Sequence, residues 1–453
     1  MTRIITLARH PLAIVGVVIT SASAVVFVTM VIAMLAGMFN NPYAGLVIFI
    51  GIPAIFVLGL LLIPAGMWLE RRKLLRDPTA VAEWPVIDLR LVEVRRTALA
   101  IAVLTAVNIV IILLAGYGGL HAMETPAFCG QSCHTPMHPQ FTAWNGAVHA
   151  GVPCVECHIG DGAAALVHAK LSGVRQLVMM VGNTYERPIP PGAKMAPGAQ
   201  AETCKSCHKP GRVVGDRVEV LREYADDQAN TETMTVLQMH MSVTKSSATG
   251  IHWHADPSTR VEYVATDAER QTIPYVRVTD AKGTVREFIA QDTKPDTIRQ
   301  SDRRTMDCID CHNTVGHPIS PTPEQAVDRA IAVAAVSHEL PFARRESVRL
   351  VKASYPSQEA GVRAIEEGLR AFYRTQSGID QHALDTTVGA VQELYRRNVF
   401  PSMKVTWGSY PDNKGHITSN GCFRCHDDSH ATKDGAKISG DCEYCHKQLE
   451  TPS

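Results

Sequence analysis

The chain has 453 residues, and its 44 Lys and Arg balance 44 Asp and Glu, so the basic excess of a dedicated nucleic-acid binder is missing. Hydrophobic residues make up 46 % and charged residues 19 %, the latter below the roughly 25 % of an average soluble domain. The apolar surplus is concentrated: no charged residue occurs from Pro11 to Leu69 or from Thr97 to Leu120, which excludes a simple soluble enzyme.

A helix needs about 20 apolar residues to cross a bilayer core. Pro11–Leu69 is too long for one crossing and suits two, divided at Asn40-Asn41-Pro42, where polar side chains and a proline favour a turn. The predicted spans run near residues 12–38, 43–68 and 97–120. Pro53 and Pro64 bend the second without preventing it, since membrane helices tolerate proline. A cleavable signal peptide, with an apolar region of only about 7–15 residues, fits this N-terminus poorly. Arg3 and Arg9 precede the first span, and Arg71, Arg72, Lys73, Arg76, Arg90, Arg95 and Arg96 lie between the second and third, whereas the Asn40–Pro42 turn is uncharged. Basic loops stay on the cytoplasmic side. The expectation is a multi-pass protein of the cytoplasmic (inner) membrane, N-terminus inside, with residues 121–453 in the periplasm.

All 12 cysteines fall into pairs followed by histidine. Five read Cys-x-x-Cys-His: Cys154/Cys157-His158, Cys204/Cys207-His208, Cys308/Cys311-His312, Cys422/Cys425-His426 and Cys442/Cys445-His446. The first pair has one more residue, Cys129-Gly-Gln-Ser-Cys133-His134. Cys-x-x-Cys-His is the attachment signature of c-type haem: two thiols add to the two vinyl groups of one porphyrin, and the adjacent histidine ligates iron. Zinc ribbons share one metal between two pairs and do not require the histidine. A disulfide framework gives no reason for histidine after every second cysteine, and thioredoxin-like sites need none either. Six covalently bound haems c are therefore expected. Haem is attached outside the bacterial cytoplasmic membrane, the side to which the basic loops assign these motifs.

Low-spin haem carriers bind iron from both faces, with a second His or a Met. The candidates for that second ligand are Met137, His149, His240, His252, His254, His317, His416 and His430, all near motifs or in turn-rich sequence. His317 and His430 suit neighbouring haems. In Gly250-Ile-His252-Trp-His254 an extended chain would put both rings on one face, with one of the two as the ligand.

The exported part has too little chain for an ordinary core around each haem, so a loop-rich, mostly α multihaem cytochrome c domain is expected beyond the three transmembrane α-helices. Residues 121–210 hold three motifs. Within 211–320, Arg260–Ala265, Ile273–Val278 and Val285–Ile289 alternate around the Asp280–Gly283 turn and predict a small β-hairpin element, followed by the fourth motif. Residues 321–400 show a helical period at Ala326, Ala330, Ile331, Ala334 and at Val362, Ile365, Leu369, Phe372, which predicts a helical insert. Residues 401–453 hold the last two motifs.

A membrane helix leading into Cys129-Gly-Gln-Ser-Cys133-His134-Thr-Pro-Met137, then Val148-His149, then Cys154-Val-Glu-Cys157-His158, resembles the NapC/NirT (NrfH-like) family of membrane-anchored multihaem quinol dehydrogenases over about residues 97–210. The three spans, the longer first motif and the extra motifs look more like the longer, ImcH-like inner-membrane cytochromes of metal-respiring bacteria. The resemblance implies oxidation of menaquinol or ubiquinol beside the first haem and electron delivery to a periplasmic cytochrome or reductase, a quinol:cytochrome c oxidoreductase type of activity. It also implies that Met137 replaces His134 on iron, that His149 serves a later haem, and that Lys170 lies near the quinol. The family's aspartate further along that segment has no counterpart here, as no Asp or Glu lies between Gly162 and Tyr185. Gln176 is the closest polar stand-in, with Asp161, His168 and Glu124 as other proton acceptors. Independently of family, Cys129 stands nine residues beyond Leu120, where a lipid-soluble donor can reach it. A terminal reductase of nitrite or hydroxylamine type, with one open iron face, and an electron-relay subunit of a larger respiratory complex are the alternatives. Intact-mass spectrometry of the membrane-extracted protein is expected to show six additions of porphyrin mass.

Overall fold

The structure, a computed structural model, describes residues 10–35, 47–75, 90–132, 134–159, 162–191, 199–208, 215–241, 250–294, 298 and 302–449. Arg3, Arg9, Arg76, the Asn40–Pro42 turn, Cys133, Asp161 and the side chain of His134 lie outside the described residues. The chain divides into two compact units, residues 1–132 and 133–453.

The first unit contains helices α1 (Pro11–Leu35), α2 (Ile52–Leu75) and α3 (Val92–Met123), with a π-helical turn at Val47–Gly51 running into α2. All three stretches are long and apolar enough to cross a membrane. Pro53 stands in the first turn of α2, where its missing N–H costs nothing, and Pro64 lies inside the helix. Helices α1 and α2 approach closely through glycine. A Cβ on Gly59 would lie 2.5 Å from Thr20 Oγ1, and one on Gly66 would lie 2.4 Å from the Ala13 nitrogen. Lipid tails are as apolar as the side chains, so close backbone packing, more than hydrophobic burial, holds such a pair together. The Thr20 hydroxyl donates to the Gly16 carbonyl at 2.8 Å, which removes its polar cost.

The second unit is mostly helical. Helices α4 (His134–Asn145), α5 (Cys154–His158), α6 (Ala163–Val181), α7 (Ala199–Cys207) and α8 (Cys308–Cys311) are followed by α9 (Pro323–Ala332), α10 (Ala343–Lys352), α11 (Gln358–Arg374) and α12 (Gln381–Asn398). The last four form the helical insert. Thr322, Ser357 and Asp380 accept backbone N–H bonds at the starts of α9, α11 and α12, as N-caps should. The insert has its own core, in which Val327, Ile331, Ile365, Leu369 and Val391 are buried. Each such side chain contributes about 1.5–3 kcal/mol by leaving water. Ala334, expected on the first stripe, lies beyond α9, which ends at Ala332; its φ of 57° belongs to the turn that stops the helix.

The β structure exceeds the single hairpin element expected. β1 (Arg217–Tyr224), β2 (Glu232–Met239) and β8 (His446–Leu449) form one antiparallel sheet in the order β1-β2-β8. β3 (Arg260–Val264), β4 (Tyr275–Thr279), β5 (Val285–Ala290), β6 (Arg304–Thr305) and β7 (His430–Ala431) form a second, in the order β6-β3-β4-β5-β7. The β1–β2 hairpin escaped notice because β1 is exposed along most of its length, so no buried face imposes the alternation that marks a strand. β7 and β8 come from the C-terminal region and extend both sheets, which ties residues 401–453 to 217–305.

Candidate haem-iron sites

Each motif stands on a tight turn. Cys154–His158 and Cys308–Cys311 are single helical turns, Cys204 and Cys207 end α7, and Cys422 and Cys442 belong to 3₁₀ turns at Gly421–Arg424 and Cys442–Tyr444. A helical turn puts residues three apart on one side, so both thiols of a Cys-x-x-Cys pair can meet one ligand. Cys129 of the longer first pair lies on a π-helical turn, Phe128–Ser132, the wider coil that accommodates an extra residue. The pairs Cys204/Cys207, Cys308/Cys311, Cys422/Cys425 and Cys442/Cys445 are thiols, not disulfides.

Opposite the motifs stand other histidines. The ring centroids of His158 and His317 are 6.0 Å apart, those of His208 and His149 6.0 Å, and those of His312 and His252 6.4 Å. His426 and His254 are 5.8 Å apart, and His446 and His416 6.1 Å. Each pair joins one motif histidine to one candidate second ligand. Two imidazoles on opposite sides of one metal, each nitrogen about 2 Å from it, have centroids roughly 6 Å apart. The spacing therefore fits an iron between each pair.

Hydrogen bonds select the nitrogen. Nδ1 of His252 lies 2.9 Å from the Met241 carbonyl, Nδ1 of His254 2.9 Å from that of Ile251, and Nδ1 of His317 2.9 Å from that of Gln140. The motif residue His426 does the same with Ser439 at 2.9 Å. A carbonyl only accepts, so Nδ1 carries the proton and Nε2 keeps its lone pair for a metal. Desolvation lowers the pKa of His158, His254, His312, His317 and His446; for all but His317 a neighbouring histidine lowers it further. These rings are thus held towards the neutral, metal-binding form.

The remaining candidates are placed differently. His430 is buried, with Nδ1 3.0 Å from Asp427 Oδ1 and Nε2 2.7 Å from the Ile273 carbonyl. Both nitrogens are taken, so the expectation that it serves a neighbouring haem is corrected: it is a structural residue on β7. His240 Nδ1 pairs with Asp216 at 3.0 Å, beside His446 rather than opposite a motif ring. His252 and His254 lie on a 3₁₀ turn, Ile251–Ala255, not in an extended strand. Three-residue periodicity turns the two rings apart, so His252 faces His312 and His254 faces His426. Met137 is half-buried on α4. Lys170, His168 and Gln176 all lie on α6, and Gln176 Nε2 contacts Ser172 Oγ at 3.4 Å. Six residues separate Lys170 from Gln176, so they sit on different sides of that helix. Glu124 caps the C-terminus of α3.

Successive motifs are neighbours. Cys204 lies close enough to interact with both Cys308 and Cys157. Cys311 feels Cys422, and Cys445 feels Cys422. Motifs two to six therefore follow one another in space as they do along the chain.

Motifs four and five share a buried polar web that the motif pattern alone does not announce. Asp310, inside the fourth motif, accepts from the Tyr263 hydroxyl at 2.7 Å, Arg270 at 3.0 Å and Arg304 at 3.2 Å. Arg424, inside the fifth, donates to the Asp310, Gly421 and Arg270 carbonyls at 2.8, 2.7 and 3.0 Å. The first charge is almost wholly buried and compensated by two guanidinium groups, the condition under which an interior carboxylate is tolerated.

Known proteins give the same reading. The N-terminal-region model of the NapC/NirT cytochrome c family matches residues 92–250. The chain is 35 % identical over 454 residues to the cytochrome c-type protein ImcH of Geobacter sulfurreducens, covering 97 % of this chain and 88 % of that one. The cytochrome c-type protein TorY of Haemophilus influenzae is 28 % identical over 140 residues, 27 % of this chain and 38 % of its own. No solved structure matches.

Removing the Asp310 carboxylate leaves Arg270 without its anion and Arg304 with Asp307 alone at 3.3 Å, at a cost of about 3–5 kcal/mol. Asp310→Ala should lower the thermal unfolding temperature and give less than the full haem-to-protein ratio, measured by circular dichroism and the pyridine haemochrome assay.

Proposed function

The chain belongs to the NapC/NirT cytochrome c family, and from that premise we propose that it is a membrane-bound hexahaem c-type cytochrome. It would oxidise menaquinol or ubiquinol at the outer face of the cytoplasmic membrane and pass the electrons to a periplasmic cytochrome or reductase. The observation that carries this reading is the set of five facing histidine pairs at 5.8–6.4 Å.

Haem c, held by the thiols of the six motifs, supplies one-electron transfer. His158 and His317, His208 and His149, His312 and His252, His426 and His254, and His446 and His416 would hold the iron in pairs at motifs two to six. Side chains on both faces leave no place for nitrite or hydroxylamine to bind metal at these five, which favours a relay over a terminal reductase. The spatial succession of motifs two to six supports the same conclusion, because transfer needs close neighbours. At motif one, Met137 takes the axial role by family resemblance. Cys129 follows the end of α3 by six residues, close to where a quinol ring meets water. By the family resemblance, Lys170 would donate to a quinol oxygen, with His168, Glu124 and Asp161 as the candidate proton acceptors and Gln176 as a polar stand-in. The basic residues before α1 and between α2 and α3 keep those segments inside and direct the haem-bearing unit outward.

Stopped-flow mixing with a reduced menaquinone analogue tests the reading. Rapid haem reduction is expected, slowed in Lys170→Ala at unchanged haem content; haems that respond to dithionite but not to the quinol would overturn it. The ligand pairing is tested separately by His254→Ala. One new high-spin iron signal in the electron paramagnetic resonance spectrum, at full haem content, is the expected result.

A further inference from the structure

Helix α6 carries a stripe of apolar side chains left exposed among the described residues. Val167, Leu171, Val174, Val178 and Val181 are 58–79 % exposed. Their spacing of four, three, four and three residues puts them on one side of the helix, and Leu177, itself 45 % exposed, widens that side. The charged residues of the helix are Lys170 and Arg175, with no acidic residue from Gly162 to Tyr185.

A second copy of this chain is one way to cover such a stripe, and the physics disfavours it. The stripe spans about two heptads, short of the three to four that sustain a coiled coil. A self-paired helix would also set Lys170 and Arg175 against the same cations, with no Asp or Glu on either strand to offset the repulsion. An anionic lipid surface meets both demands. Acyl chains take the apolar side, lipid phosphates take the flanking Arg175, and a purely basic amphipathic helix is the form that lies in such an interface. The three candidate spans already hold the chain at a bilayer, so the helix need contribute no affinity of its own to reach it.

We propose that α6 is an interfacial helix, with its Val167–Val181 stripe sunk among the acyl chains of an anionic phospholipid leaflet. The proposal rests on the outward orientation assigned above and does not depend on quinol oxidation.

The test places p-benzoylphenylalanine at Leu171, Val178 or Gln176 of the full-length, haem-loaded protein in nanodiscs of phosphatidylethanolamine and phosphatidylglycerol. After irradiation, mass spectrometry should find phospholipid adducts at positions 171 and 178 several-fold above those at 176. Crosslinks joining two copies of the chain, crosslinks to another segment of the same chain, or lipid adducts no more frequent than at 176 would each overturn the proposal. If the label at 171 or 178 lowers haem content, Val174 and Val181 carry the probe under the same criteria. Because the readout is a lipid adduct, it stands whether or not quinol reduces the haems.

Discussion

Imidazole rings held in opposed pairs about 6 Å apart are the constraint around which the second unit is built. Anchoring the other nitrogen fixes the direction of a ring, and backbone carbonyls do this for His252, His254, His317 and His426. One anchor comes from a segment remote in sequence: Gln140 on α4 orients His317, which follows the fourth motif. A bond of this kind settles tautomer and direction together. The many short turns and small strands then make sense as a frame that delivers rings to fixed places.

The pairs also bind the unit across the chain. His317 follows motif four yet faces His158 of motif two, and His149 precedes motif two yet faces His208 of motif three. The turn Ile251–Ala255 serves motifs four and five at once. Each motif therefore depends on residues belonging to another, and the buried Asp310–Arg424 web adds a rigid link between two of them. The helical insert stands apart. Among the described residues its core receives only Tyr224 of β1 and Trp407 from outside, and its contact with the β1–β2 turn adds polar bonds from Asn230 Nδ2 to the His338 and Leu340 carbonyls at 2.9 Å.

Polar groups in the two units are managed by different physics. Among α1 and α2 the backbones approach through glycine, and the Thr20 and Ser23 hydroxyls return to carbonyls of their own helix, because a bilayer offers no water to satisfy them. Outside it, charges can be paired over long sequence distances, as Arg344 does with Asp328 and Asp226. α6 combines the two regimes, apolar on one side and basic elsewhere.

By itself, the order of residues determined the three apolar spans, the six cysteine pairs with their histidines, and the helical period of the insert. These are local signals: a run of uncharged residues, a fixed spacing imposed by one porphyrin, a repeat of 3.6. The tertiary structure decided everything that depends on which remote group comes near. Glu156 and Asp310 occupy the same place in Cys-Val-Glu-Cys and Cys-Ile-Asp-Cys, yet Glu156 is exposed and Asp310 is buried among arginines. His430 and His254 look alike in sequence, yet one has both nitrogens consumed by hydrogen bonds and the other keeps Nε2 free. Whether a histidine can take a metal depends on whether Nε2 stays open, and the group that closes it in His430, the Ile273 carbonyl, lies far away in the chain.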